Sequence, residues 1–194
     1  MSAPDPRHRL ALLLIDVNRS FFDPAGAHHY PGVERVVAPL HALLAAARRG
    51  RRLVVHAREA HRPGLADFEE GKLPRHSVVG ERDSEPYPGF EEGAGEVVIA
   101  KRRFSAFFAT DLALLLHEQA VERVVVAGVK TNVCVRATVT DAFAHGFRPL
   151  VVREAVSSNR AHLHVASLED MERYMAEVID LDRAVTLLTG EHGG

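Results

Sequence analysis

The 194 residues predict a three-layer α/β fold, in which a mainly parallel six-stranded sheet lies between two layers of helices. Short, continuous apolar runs end on polar residues, which is the pattern of strands buried on both faces of a parallel sheet. Between them lie stretches whose apolar residues repeat at helical spacing. No internal repeat, low-complexity tract or linker interrupts this alternation, so a single domain spanning 1–194 is expected.

The first run, Leu10-Ala-Leu-Leu-Leu-Ile-Asp-Val17, reads as a buried strand with Asp16 at its C-terminal end. From Pro31 to Gly50 the residues Val33, Val36, Val37, Leu40, Leu43, Leu44 and Ala47 outline an amphipathic helix, and Gly50 supplies the stop. A second strand covers 52–57. A loop rich in Gly, Pro and charge follows to about Glu96; a connection this long in a compact domain is expected to be functional and to contain short helices. Val97 to Ala100 is a third strand ending on Lys101. Thr110 can cap a helix through His117. A fourth strand over 122–127, a turn over 128–132 and a helix over 133–145 place Cys134 in a helix's first turn. A fifth strand covers 148–153. Ser167-Leu-Glu-Asp170 resembles a capping box that opens a helix carrying Met171, Tyr174, Met175, Val178 and Ile179, and 181–188 is expected to be the sixth strand.

Composition narrows the functions available. Net charge is −2, with basic residues spread among acidic ones, so neither nucleic acid nor an anionic membrane surface is an expected partner. The apolar runs are too short to span a bilayer and no signal-peptide pattern opens the chain, which makes a cytoplasmic protein the expectation. The one cysteine excludes an intrachain disulfide and a multi-thiolate metal site, leaving core packing, a surface thiol or a nucleophile.

In open parallel sheets, ligands bind beyond the C-terminal strand ends, and Asp16, Lys101 and Cys134 all map to that edge. Each has a plainer explanation: a turn carboxylate, a solvated ammonium, a packed thiol. Together they make chemistry. A thiol in a helix's first turn feels the positive end of the helix dipole, and a nearby ammonium lowers its pKa further; both favour the reactive thiolate. Backbone N–H groups at the same turn can bind an oxyanion.

The segments Leu13-Leu-Ile-Asp-Val17, Lys101-Arg-Arg-Phe-Ser-Ala-Phe107 and Gly128-Val-Lys-Thr-Asn-Val-Cys-Val135 resemble three signature segments of the isochorismatase-like cysteine hydrolase superfamily. The resemblance covers about residues 10 to 188. It implies Asp16 as base, Lys101 as stabilising cation and Cys134 as nucleophile, cleaving a C–N amide bond through a thioester and releasing ammonia or an amine. It also implies a non-proline cis peptide at Val129–Lys130, which would turn backbone donors near Lys130 and Cys134 toward the substrate carbonyl. Family members often carry a smaller, uncharged residue where this chain has Lys130. A homo-oligomer is implied as well.

The loop Arg58-Glu-Ala-His-Arg-Pro-Gly-Leu-Ala-Asp67 is similar to the branch acting on ureido, carbamoyl and other small amides, which implies a site free of metal and of other cofactors. His56, Glu59 and His61 can in principle hold a metal, but their spacing departs from the Asp-x-His pattern of metal-dependent nicotinamidases. Arg58 and Arg62 are candidates to grip a substrate carboxylate. Asn18 is a candidate to orient substrate or water, and Phe22 and Phe107, with Phe21 and Phe104, are candidate pocket walls. His28, His29, His162 and His164 remain unassigned. The competing functions are vinyl-ether hydrolysis of the isochorismatase type, metal-assisted nicotinamidase-like amide cleavage, and non-catalytic binding on the same fold.

Overall fold

The computed structural model describes residues 9–190. Among them six strands form one sheet in the order β3-β2-β1-β4-β5-β6, with every neighbouring pair parallel. The strands are β1 (Leu10–Ile15), β2 (Leu53–Glu59), β3 (Val97–Lys101), β4 (Arg123–Val129), β5 (Arg148–Ser157) and β6 (Glu177–Ile179). The helices are α1 (Arg19–Phe22), α2 (Val37–Arg49), α3 (Leu112–Glu118), α4 (Arg136–Ala144), α5 (Ala161–Tyr174) and α6 (Leu181–Thr189). None is long and apolar enough to cross a membrane.

Strand parity sorts the core into two layers. Leu12, Leu14 and Val54 face one side, against Leu40, Leu43 and Leu44 of α2 and Ala184 and Leu188 of α6. Leu13, Ile15, Val55, Ala57 and Ile99 face the other, against Leu112 and Leu116 of α3, Val139 and Ala142 of α4 and Met171 of α5. Each such leucine or valine withdrawn from water stabilises the fold by roughly 1.5–3 kcal/mol before chain entropy is counted.

The strand order reverses between β1 and β4, which places the ligand-binding crevice of such folds at their C-terminal ends. Gly128 lets the two strands meet closely there. It has φ +125°, and a Cβ on it would lie 2.1 Å from the Ile15 carbonyl oxygen.

The C-terminal segment differs from the sequence expectation. Helix α5 begins at Ala161, so Ser167 lies in its interior instead of capping it. Val178 and Ile179 belong to β6, and 181–189 is helix where a strand was expected. Leu181, Ala184, Val185 and Leu188 follow the i, i+3, i+4, i+7 spacing of a helix face. Asp180 caps that helix by accepting from Arg183 N–H at 2.8 Å, and left-handed Gly190 ends it. The long loop carries two short 3-10 helices, at Phe68–Gly71 and Arg82–Ser84.

Candidate active site

Three strand ends bring their polar residues together beneath the crevice. Alternation along β1 would send Asp16 to the α2 side, but its left-handed backbone (φ 54°) breaks the pleat. Such a conformation costs a non-glycine residue of the order of 1–3 kcal/mol and persists where the surroundings over-determine it. Here they do: Asp16 N–H donates to the Ala57 carbonyl at 2.8 Å, and its Oδ1 accepts from Glu59 N–H at 2.9 Å. Lys101 shares parity with Ile99 and therefore reaches the same side. Its Nζ lies 2.8 Å from Asp16 Oδ2 and 3.4 Å from Glu59 Oε1, and all three side chains are buried.

Cys134 arrives from the end of β4. The Val129–Lys130 peptide bond is cis. The next residues, Thr131–Val135, form a π-type turn in which Val135 N–H reaches the Lys130 carbonyl, five residues back, at 3.2 Å. Turns of this kind are frequent at functional sites. The α-helical geometry of α4 starts only at Arg136, so the turn expected over 128–132 and the helix start expected at 133 are displaced by this π-type segment. The Cys134 thiol donates to Glu59 Oε1 at 3.7 Å, and the Asp16, Glu59 and Cys134 ligating atoms all lie within 4.8 Å of one another.

The electrostatics correct one expectation. Burial pushes the Cys134 thiol well above its ordinary value, and the Asp16 and Glu59 charges add to this, against the opposing pull of Lys101. Desolvation and two carboxylates outweigh one ammonium, so the packed site favours the thiol over the thiolate. Burial likewise lifts Asp16, to about 6, although Lys101 pulls it down. Burial also opposes ionisation of Glu59, but Lys101 and the hydrogen-bonded His76 hold its carboxyl well below the usual range. For Lys101, burial favours the neutral form, yet Asp16, Cys134 and Glu59 more than reverse that and keep it an ammonium. The site thus pairs a fixed cation and a fixed anion with one carboxylate that exchanges its proton near neutrality.

Cys134 opens on a cavity of about 230 Å³ lined by Phe21, His28, Glu59, Leu73, Phe104, Lys130 and Val133. That is below the roughly 300–1,000 Å³ of sites for drug-sized ligands, a size suited to a small molecule. Several other candidates lie elsewhere. Arg58 points across the sheet and pairs with Glu92. Arg62 is exposed, at the rim of a neighbouring cavity beside His61. Phe22 packs in the α2-side core near Tyr87, and Phe107 in the opposite core against Phe147. Asn18 is buried beside Ser77, with its Oδ1 unpartnered among the described residues.

Glu59 is the residue that sequence reasoning undervalued, though parity could have found it. Val55, Ala57 and Glu59 alternate onto the Cys134 side of β2, whereas His56 and Arg58 alternate away. His28 and His76 gave no comparable signal, since both come from irregular segments.

Glu59 also belongs to a second cluster. With His61 and His76 it forms a group of potential ligand atoms within 4.8 Å of one another, while His56 turns away to Glu96 Oε2 at 2.8 Å. Spacing along one strand cannot include His76, which the loop folds back onto Glu59. The donor set fits a divalent ion: His61 Nδ1 is held by Asp67 at 2.9 Å, leaving Nε2 buried and unpartnered. A carboxylate behind an imidazole whose far nitrogen is free is the usual arrangement of a metal-binding histidine. Glu69 Oε2, also buried without a hydrogen bond, lies 4.0 Å from that nitrogen. Of the remaining histidines, His28 lines the Cys134 cavity, His164 Nδ1 meets Thr131 Oγ1 at 2.9 Å, His29 is half-buried and His162 is exposed.

Comparison with known proteins places this geometry among relatives. The chain is 38% identical over 185 residues to a maleamate amidohydrolase of Pseudomonas putida, covering 92% of this chain and 86% of that protein. It is 29% identical over 193 residues to an N-carbamoylsarcosine amidase of Arthrobacter sp., covering 93% and 72%. An isochorismatase-like hydrolase of Alkaliphilus metalliredigens superposes with a TM-score of 0.85 at 32% identity, covering 91% of this chain and 97% of that one. Residues 10–183 match the Isochorismatase domain, and the chain belongs to that family.

Proposed function

We propose that this protein is a cysteine amidohydrolase that cleaves the C–N bond of a small ureido, carbamoyl or carboxylate-bearing amide through a thioester. The observation that carries this reading is the packing of buried Asp16 and Lys101 against each other beside Cys134, which itself lines one small cavity. The names of the two amide-cleaving relatives support the bond class.

Cys134 attacks the amide carbonyl as Asp16 takes the thiol proton, so the high thiol pKa is overcome by proton transfer during attack on the electrophile. The negative charge thereby passes from the Asp16 carboxylate to the carbonyl oxygen, where backbone N–H groups near Lys130 and Cys134 receive it. Lys101 compensates the charges gathered around it. Asp16 returns the proton to the nitrogen, the C–N bond breaks and ammonia or an amine leaves. Water then attacks the thioester, giving up a proton to Asp16, and the acid and the free thiol are released.

A second reading, metal-assisted cleavage, is favoured by the free His61 Nε2 beside Glu59 and His76. A divalent ion held by those three residues would act as a Lewis acid toward a substrate oxygen or nitrogen. Vinyl-ether hydrolysis does not call for a nucleophilic thiol, and non-catalytic binding leaves the Asp16–Lys101–Cys134 set without a purpose.

The test is ammonia release from maleamate, N-carbamoyl amino acids, ureidoacrylate and nicotinamide, with and without chelator. Turnover that disappears in Cys134→Ser and survives chelation is expected. Wild-type turnover in Cys134→Ser would refute the scheme, and activity abolished by chelator and restored by metal would replace it with the metal-assisted reading.

A further inference from the structure

We infer that the Lys130 side chain binds an anionic group of the substrate, so that the cavity selects amides carrying a carboxylate at the end remote from the scissile bond. This deepens the amide-hydrolase reading and rests on it. Among the residues lining the Cys134 cavity, Phe21, Leu73, Phe104 and Val133 are apolar, Glu59 is already held by Lys101 and His76, and His28 is packed between the Phe21 and His76 rings. Lys130 alone brings a positive charge with no ion-pair partner among the described residues; Glu59 and Asp16 act on it only at longer range.

The surroundings of its ammonium show the same thing. Lys130 Nζ lies 5.6 Å from the centre of the Phe21 ring and 5.7 Å from that of Tyr30. No described carboxylate makes an ion pair with it. Of the cations considered earlier, Lys101 pairs with Asp16 and Arg58 with Glu92, while Arg62 is exposed and lies outside this cavity. Aromatic faces hold an ammonium in place without neutralising it. They position Lys130 for an anion that arrives with the ligand.

Placement then fixes the ligand's direction. Glu59 bonds His76 at 2.9 Å, the His76 ring meets His28 at 4.1 Å, and His28 stacks on Phe21 at 5.2 Å, whose face carries the Lys130 ammonium. This row of rings separates the Glu59 carboxylate, beside the thiol, from the lysine. A substrate anion is repelled from the first and attracted to the second, which leaves the amide carbonyl facing Cys134. Lys130 therefore acts as a specificity residue in place of Arg58 and Arg62, which do not line this cavity.

The experiment compares maleamate, a monoanion, with maleamide, its neutral diamide of the same carbon skeleton. Wild-type enzyme is expected to favour maleamate in kcat/KM. In Lys130→Met, KM for maleamate is expected to rise about 10- to 100-fold, the usual loss for a charged hydrogen bond. The effects on kcat and on KM for maleamide should be much smaller, and Lys130→Arg should restore part of the preference. A second arm needs no turnover: calorimetric binding of maleate to Cys134→Ala should weaken by a similar factor in Cys134→Ala/Lys130→Met. Equal losses for both amides, a loss confined to kcat, or unchanged maleate binding would overturn the inference. If neither amide is hydrolysed the amide reading fails for these compounds, and the maleate arm still decides whether Lys130 binds an anion.

Discussion

Two lysines stand near Cys134, and they are solved differently. Lys101 is fully buried, with Asp16 at 2.8 Å and Glu59 at 3.4 Å. Lys130 is half-buried and rests against two aromatic rings. The first is bound into the protein's own charge balance and, in the proposed reaction, serves the reacting centre as well as the fold. The second is left open on its cavity side and contributes little to holding the chain together. A cation whose counter-charges are built in supports chemistry on any substrate, whereas one without them discriminates among substrates.

The largest effect expected in this site is on turnover by Cys134→Ala, because no other thiol is present to form the thioester. A loss on the order of 10⁴- to 10⁶-fold in kcat, with the fold retained, is the expected outcome in steady-state kinetics. Next comes Lys101→Met, which leaves Asp16 and Glu59 facing each other in a buried site. Chemical denaturation should show a loss of about 3–5 kcal/mol, as for other buried pairs deprived of one partner. Lys130→Met should cost no more than about 1 kcal/mol, since only cation–π contact is removed. Similar losses for the two lysines would break the contrast.

Asp16→Asn should lower kcat by roughly 10²- to 10⁴-fold, the range for a lost general base. The sign of its pH dependence follows from burial. Asp16 accepts a proton only when ionised, and its pKa is raised to about 6, so kcat/KM should be flat above that pH and fall about tenfold per unit below it. An acid limb near the ordinary carboxylate value would mean that burial does not govern this group. The smallest effect sharpens the role of the histidine cluster. If His61 and His76 only orient Glu59, then His61→Ala should change kcat less than Asp16→Asn, and added zinc should not raise the melting temperature. A zinc-dependent rise lost in His61→Ala would assign the cluster to a metal.

Much of this contrast was legible before the structure. β1 and β4 read cleanly because a strand buried on both faces must be continuously apolar; β3, an edge strand with Val98 exposed, read as a strand from its apolar run alone, and the charged residues that end β1 and β3 are what the crevice receives. Lys101 was found in that way. The end of the chain was misread because β6 has only three residues, and its Val178 and Ile179 also fit the helical period of the preceding segment. Arg58 looked like an anion site by chemistry alone, and strand parity would have rejected it. The turn of Asp16 into the left-handed region and the return of His76 on the loop leave no local pattern, since tertiary contacts fix both. The thiolate expectation failed for a related reason: charge partners can be guessed from sequence, but the desolvation that dominates here depends on the packed cavity.

The most direct measurement is the rate at which iodoacetamide labels Cys134, followed as a function of pH in wild type and Asp16→Asn. Labelling in wild type is expected to switch on near the Asp16 value of about 6, and Asp16→Asn to lose that step and label slowly. Identical rates in both proteins, rising only near the ordinary thiol pKa of about 8.5, would show that Cys134 is a packed thiol with no base acting on it.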